Sequence, residues 1–416
     1  MTDNAVHDIV VVGAGIIGIS TALALQAQGR HVQVLDRDDG LKKASEMNAG
    51  AFAFTDIVPL ATPGIMRKAP KWLLDPLGPL SVPPAYALKI APWMLRFWRA
   101  SWPDRYRHSL NAQASLMDAS RHALDCQIRE TSAEQLFRRD GQLQLYEGER
   151  EFRASMDAWH LRKKHGIPFE LLETRDAIAA IQPGIDARFT HAGYTPEWMN
   201  TCNPASFLKH LSETFLARGG RIEADDVMSV TPGEAFVSLS GRNGETRAAN
   251  VIVCAGAWSR HLASTVGDSV PLETERGYNT TLADGAFDLR THLTFGSHGF
   301  VVTRINDGIR VGGAVELGGL KLPPNYKRAE TLLKKAKSFL PELKTEPGTQ
   351  WMGFRPSMPD SLPVIDRSPR ERRVFYAFGH GHLGLTQAAG TAKLVTELVQ
   401  GQTPSIDMSA FSARRF

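Results

Sequence analysis

The chain has 416 residues, 22% charged and 43% apolar, with a formal net charge of only +4. That length exceeds one ordinary core and suits two joined domains, and that balance excludes a disordered chain and gives no argument for nucleic-acid binding. The three cysteines, Cys126, Cys202 and Cys254, are too far apart for a CxxC metal or redox motif, which predicts buried thiols in a reducing, cytoplasmic setting.

The first element is a continuous apolar run at Ile9 to Val12, reached after a short and mostly polar stretch. No signal peptide is read from that beginning, and no window is long and apolar enough for a spanning helix. Gly13, Ala14, Gly15, Ile16, Ile17 and Gly18 follow as GxGxxG, then a helix from Ile19 to Gln28, and a second strand, "HVQVLD", closing on Asp36 and Arg37. A strand, glycine turn, helix and second strand ending on an acid form a dinucleotide-binding βαβ unit. Gly13 makes the tight turn, Gly15 lets backbone approach a pyrophosphate, Gly18 permits close helix packing, and Asp36 addresses a ribose hydroxyl. The motif alone does not separate NAD from FAD.

The next segment, "ASEMNAGAF", places Ser45, Asn48, Ala49 and Gly50 just beyond that unit. Its small side chains and amide donors suit the pyrophosphate and flavin end of FAD, although a plain turn reads the same way. Residues 59–103 differ from the rest, holding nine of 24 prolines, four of eight tryptophans and a local charge of about +5. The prolines exclude a long continuous helix. A proline-rich lid with inward tryptophans is one reading; a basic, aromatic face on an anionic membrane is the other.

Further along, "RIEADDVMSVTPG" and "RAANVIVCAGAWS" read as strands, the second ending on Ala255, Gly256 and Ala257 with Trp258 opening a helix. Asn306-Asp307-Gly308 is a hairpin turn signal, and "YKRAETLLKKAKSFLPEL" is a basic amphipathic helix with a solvated face. "WMGFRPSMPD" sets Gly353 and Arg355 in a proline-stiffened loop, a setting for a guanidinium that clamps a carboxylate. "YAFGHGHLGLTQAAG" then brings Gly381, His382, Leu383, Gly384, Leu385 and Thr386 to the start of an apolar helix. His380 and His382 lie two apart with no third ligand in the segment, so no metal site is read there.

This ordered set of GxGxxG, "NAG", "VIVCAGAW", "GFRPSMPD" and "FGHGHLGLT" resembles the FAD-dependent D-amino-acid oxidase superfamily over essentially the whole chain. The likeness is greatest to bacterial D-amino-acid dehydrogenases of the small-subunit type and hydroxy-D-proline dehydrogenases. The resemblance implies an α/β fold: a Rossmann-like FAD-binding domain of glutathione-reductase type, with an interleaved substrate domain on a mostly antiparallel sheet covered by helices. It assigns residues 1–58, 185–266 and 345–416 to the FAD domain, and 59–184 and 267–344 to the substrate domain.

By the same resemblance, Gly13, Gly15, Gly18 and Asp36 hold the ADP half of FAD, and Ser45, Asn48, Ala49 and Gly50 lie near pyrophosphate and flavin. Val227 meets the adenine, Ala255 and Gly256 flank the cofactor, and backbone amides at Leu383 to Thr386 stabilise charge on the reduced flavin. Arg355 binds the substrate carboxylate, with Tyr278 and His382 as further substrate contacts and no side chain assigned as acid or base. The implied reaction is oxidative deamination of D-amino acids, cyclic imino acids among them, with electrons passed to a quinone or the respiratory chain. Glycine or sarcosine oxidation by oxygen, or a non-catalytic FAD subunit on a membrane, are the alternatives. No cysteine accompanies the Gly-x-Arg-Pro segment, so FAD is expected to be non-covalent. The expected location is the cytoplasm, with peripheral contact to the inner membrane left open.

Overall fold

The computed structural model describes residues 6–37, 40, 42–67, 80–306 and 308–416. The N-terminal unit forms as its sequence dictates. Strand β1 (Val6–Val12) pairs in parallel with β2 (Val32–Asp36), with helix α1 (Ile16–Ala27) between them. Both strands bury their apolar side chains on two faces, which is why the runs do not alternate.

An eight-stranded sheet extends from this unit. Arg221–Ala224 joins β2 in parallel on one side, and Gly244–Val253 joins β1 on the other. The far half of Gly244–Val253 pairs in parallel with Val374–Phe378, while its near half turns back antiparallel through Val237–Gly241 and Ser229–Pro232. Helix α1 and the C-terminal helix Gly384–Val399 cover one face, their apolar sides sharing one core with Ile9, Val11 and Phe375.

The second sheet has nine strands, and Glu273–Leu282 runs through its functional end between Gly348–Ser357 and Gly308–Glu316, antiparallel to both. Asn306 takes the left-handed conformation (φ 53°) that the hairpin requires; Asp307 lies outside the described residues. No barrel closes.

Two stretches cross the boundaries expected between the halves. Phe189–Thr195 hydrogen-bonds to Gln142–Glu147 in the second sheet, and Gly348–Ser357 is that sheet's edge strand, so neither belongs with the dinucleotide sheet. Conversely, the 29-residue helix Pro103–Thr131 inserts Leu116, Leu124 and Ile128 into the first domain's core. Strand pairing decided both, and pairing partners carry no local sequence mark.

The basic segment is only partly described, Lys68, Lys71, Trp72 and Asp75 lying outside the described residues. Its last part forms helix Ala87–Ala100, with Pro92 inside. Pro92 is tolerated because this face is open: Leu88, whose carbonyl loses its partner, is 90% exposed. Ile90 and Trp93 pack inward on Leu317, whereas Leu88, Leu95, Trp98 and Trp102 face outward. The inward-tryptophan and outward-tryptophan readings therefore each describe one side of the same helix. No described helix is long and apolar enough to cross a membrane.

Candidate active site

One cavity of about 1400 Å³ runs from the GxGxxG turn to the second sheet. That exceeds the roughly 300–1,000 Å³ of a single drug-sized ligand site and leaves room for a dinucleotide and a small substrate together.

At its first end the glycines act as expected. Gly13 has φ 110°, and a side chain there would meet the Cys254 carbonyl at 2.5 Å; one on Gly18 would meet the Gly13 carbonyl at 1.8 Å. Gly15 is different. A Cβ on it would meet only Ser45 Oγ, at 3.3 Å, so its bareness keeps open space above the α1 N-terminus. Gly15 supplies no capping side chain; instead Ser45 Oγ accepts the Ile16 amide at 3.0 Å from the neighbouring loop. A helix N-terminus with free amides and a serine beside it fits a pyrophosphate. Asp36 accepts the Ala14 amide and pairs with Lys43 at 2.9 Å, so its carboxylate stands at the end of β2 as expected. Arg37 stacks over Trp258, its guanidinium carbon 3.4 Å from the ring centroid. Val227, Ala255 and Gly256 line the same end, and burial pushes the neighbouring Cys254 thiol far above its ordinary range, leaving it unreactive.

A second helix N-terminus opens on the cavity at Gly384, again with no side-chain cap. Gly379 and Gly381 take positive φ, 89° and 54°, which lets the 379–383 loop fold across the sheet end. The loop is tied to the Arg355 strand, because the Gly381 amide donates to the Pro356 carbonyl at 2.7 Å. Thr386 Oγ1 accepts the Ala53 amide at 3.0 Å and fixes the loop after Asn48. On that loop Asn48 Oδ1 accepts the Gly50 amide at 2.9 Å.

The two histidines turn apart. His380 is buried, its Nε2 2.9 Å from Thr391 Oγ1, and burial pushes its pKa down to about 3, so it is a neutral packing residue. His382 remains in the cavity wall, with Nε2 3.5 Å from Asp56 Oδ2. Burial works to raise the Asp56 carboxyl, yet the His382 hydrogen bond and charge, aided by Arg162, hold it below the usual range.

The second sheet supplies the remaining wall. Arg355 lies on an interior strand edge rather than the surface, its guanidinium stretched across Gly277, where a Cβ would come within 2.4 Å of Nη2. Its Nη1 donates to the Ala314 carbonyl at 3.0 Å, and the residue lines the cavity. Burial lowers its pKa, and the charge of neighbouring Glu275 opposes that shift. Gly353 has no room for a side chain because the Trp351 ring lies 1.8 Å from its Cβ position.

Tyr278 is placed differently from the expectation. Its ring lines the cavity, but its hydroxyl donates to Glu316 at 3.0 Å and accepts the Asn325 amide at 2.9 Å. Together with Arg276, which reaches the Gly319, Leu322 and Pro323 carbonyls, it holds the 317–325 loop. Tyr278 therefore shapes the wall with its ring and not with its hydroxyl.

Four wall residues escaped the sequence reading: Asp56, Arg162, Glu275 and Arg310. Arg310 is buried, bonded to the Asn48 carbonyl and to Thr281 Oγ1 at 3.0 Å, and pushed down to about 10 by burial; it anchors the loop that carries Asn48. The alternation of charges in "ETERGY" inside a strand was the available signal for Glu275, since a buried strand rarely carries acids without a partner.

The DAO family model, described as FAD dependent oxidoreductase, matches residues 8–398. A relative from Bradyrhizobium diazoefficiens named D-amino-acid oxidase is 32% identical, covering 98% of each chain. D-amino acid dehydrogenase 1 of Mesorhizobium japonicum is 30% identical, over 98% of this chain and 99% of its own. Among solved structures, glycine oxidase from Geobacillus kaustophilus superposes with a TM-score of 0.78 at 19% identity, covering 99% of both chains, which is a likeness of fold.

Proposed function

The chain belongs to the DAO family of FAD-dependent oxidoreductases, and from that premise we propose that it oxidatively deaminates D-amino acids, cyclic imino acids among them, at the Arg355 end of the cavity. The observation carrying the reading is the continuity of one cavity between a dinucleotide cradle and the half-buried guanidinium of Arg355. When bound, FAD supplies a two-electron acceptor for the hydride on the carbon bearing the amine.

The chain's own residues do the rest. Gly13, Gly15 and the α1 amides seat the pyrophosphate, with Asp36 at the ribose. The amides opening Gly384–Val399 stand where negative charge is stabilised by a helix N-terminus. Arg355 holds the substrate carboxylate with paired N–H donors, so the α-carbon is oriented by one fixed contact. His382, steadied by Asp56, forms a second side of the substrate space, and the Tyr278 ring a third. The imine from a primary amine is hydrolysed by water to a 2-oxo acid and ammonia; a cyclic substrate leaves as the cyclic imine, whose hydrolysis opens the ring and retains the nitrogen. Non-covalent FAD is supported by the absence of a cysteine near the Gly-x-Arg-Pro segment and by the burial of Cys254, the cavity cysteine among the described residues, against Gly13.

For the electron acceptor, a membrane quinone fits the outward face of Ala87–Ala100. Leu88, Leu95, Trp98 and Trp102 lie on one side of it, flanked by Lys89 and Arg96, an arrangement suited to the interface of an anionic bilayer.

Anaerobic addition of a panel of D-amino acids, L-amino acids, D-proline and sarcosine tests the reading. Loss of the oxidised flavin band with D-amino acids and not with their L-enantiomers is expected. Reduction by sarcosine or glycine alone would replace the reading with an N-methylglycine or glycine oxidase.

A further inference from the structure

Glu275 is 6% exposed, and its strand register sets it directly opposite Arg355. Cross-strand neighbours have Cβ atoms about 4.5–5.5 Å apart and share a face. Gly277, two residues on, points the same way, and Arg355 lies across it. Arg276, between them, points to the other face and is wholly committed to Glu316 and the 319–323 carbonyls. The other acids near this wall are also engaged: Asp56 with His382, Glu316 with Arg276 and Tyr278, and Glu273 with the Tyr86 hydroxyl at 3.0 Å. Among the described residues, Glu275 accepts no hydrogen bond, although its charge acts on Arg355. Glu275 lines the same cavity as Arg355, so its carboxylate is open to a donor brought by a ligand there.

We infer that Glu275 is the ammonium-binding half of a two-charge clamp, with Arg355 the carboxylate-binding half, so that the site selects the zwitterion of an amino acid against plain carboxylic acids. An α-amino acid carries its two charges on groups attached to one carbon, so side chains on one face of paired strands can address both. Before the hydride leaves, the bound ammonium gives one proton to water, because only the neutral amine supports hydride transfer. The consequence concerns the product as well as the substrate. A 2-oxo acid keeps the carboxylate and loses the ammonium, so Glu275 repels it where it attracted the substrate, and turnover itself weakens binding. This inference rests on the deamination reading above.

The test compares D-alanine with pyruvate, which differ at the amine-bearing carbon, on FAD-loaded wild type, Glu275→Gln and Glu275→Asp. Binding is followed by perturbation of the flavin spectrum, anaerobically for the amino acid, together with steady-state KM and kcat. In Glu275→Gln, KM for D-alanine is expected to rise at least tenfold, with kcat changed far less, while pyruvate binds several-fold tighter than to wild type. Glu275→Asp, which keeps the charge, should retain the wild-type order of preference. Equal weakening of both ligands in Glu275→Gln would mean that Glu275 only supports Arg355, and would overturn the clamp. No change in either ligand would overturn it too, as would an Asp variant whose preference has reversed. If D-amino acids fail to reduce even the wild-type flavin, the deamination reading falls instead, and the pyruvate titration still reports whether Glu275 repels a carboxylate.

Discussion

The two ends of the cavity are built by different means. The end proposed for the cofactor is mostly backbone: two helix N-termini whose own N-cap residues give no side-chain cap, bare glycines, and one acid at a strand end. The substrate end is made of side chains standing on a sheet, Arg355 and Glu275 on neighbouring strands with His382 reaching in from the tied loop. Backbone recognition needs bare positions in a fixed local order. Side-chain recognition needs register, which exists only once distant strands have paired.

The contrast breaks most visibly at Gly384. A Cβ there meets only His380 Cβ, at 3.6 Å, so a small side chain fits and a large one must extend beyond that contact into the cavity. Gly384→Leu should lower FAD affinity on the order of tenfold to a hundredfold, about 1.4–3 kcal/mol, measured by ultrafiltration and flavin fluorescence. His382→Ala should leave FAD affinity unchanged within twofold. The opposite pattern would place cofactor recognition on the side chain.

One buried neutral histidine lies under each region, His380 beneath the cofactor loop and His292 in the substrate sheet, both pushed by burial from 6.5 to about 3. Below pH 6.5 the unfolded chain takes up protons that the folded chain refuses. Stability therefore falls as pH drops from 6.5 towards 3, by roughly 2 kcal/mol per histidine at pH 5. Urea unfolding at pH 7 and pH 5 measures this. His292→Gln and His380→Gln should each remove part of the slope, and an unchanged slope in one variant would show that its region keeps that ring hydrated.

The smallest effect concerns the outer helix. Flotation with anionic liposomes is expected for wild type and should fall several-fold in Leu95→Ser/Trp98→Ser or at high salt. Equal recovery with neutral and anionic vesicles would argue against the charged face.

The sequence was most readable where structure is local. Gly13, Gly15, Gly18 and Asp36 follow one another along a single βαβ unit, so the tight turn at Gly13, the close packing at Gly18 and the place of Asp36 at a strand end could be read from spacing. Arg355 was legible as a chemical type because prolines stiffen its surroundings. Its neighbour Glu275 was not, since only pairing of Glu273–Leu282 with Gly348–Ser357 brings the two together. Tyr278 was correctly placed at the cavity, but its hydroxyl is consumed by Glu316 and Asn325, partners about 40 residues away that no motif announces. The histidine pair gave the opposite lesson: both residues line the cavity, but burial makes His380 a neutral ring bonded to Thr391 while His382 faces Asp56.

The division between backbone and side-chain recognition is tested most directly by anaerobic titration of Arg355→Met with the D-amino acid that reduces wild type fastest. The variant should retain FAD at the wild-type ratio while its rate constant for flavin reduction per molar substrate falls on the order of a hundredfold to a thousandfold, about 2.7–4 kcal/mol, as expected when a charge-assisted contact to the carboxylate is lost. Undiminished reduction, or loss of FAD together with activity, would contradict the account.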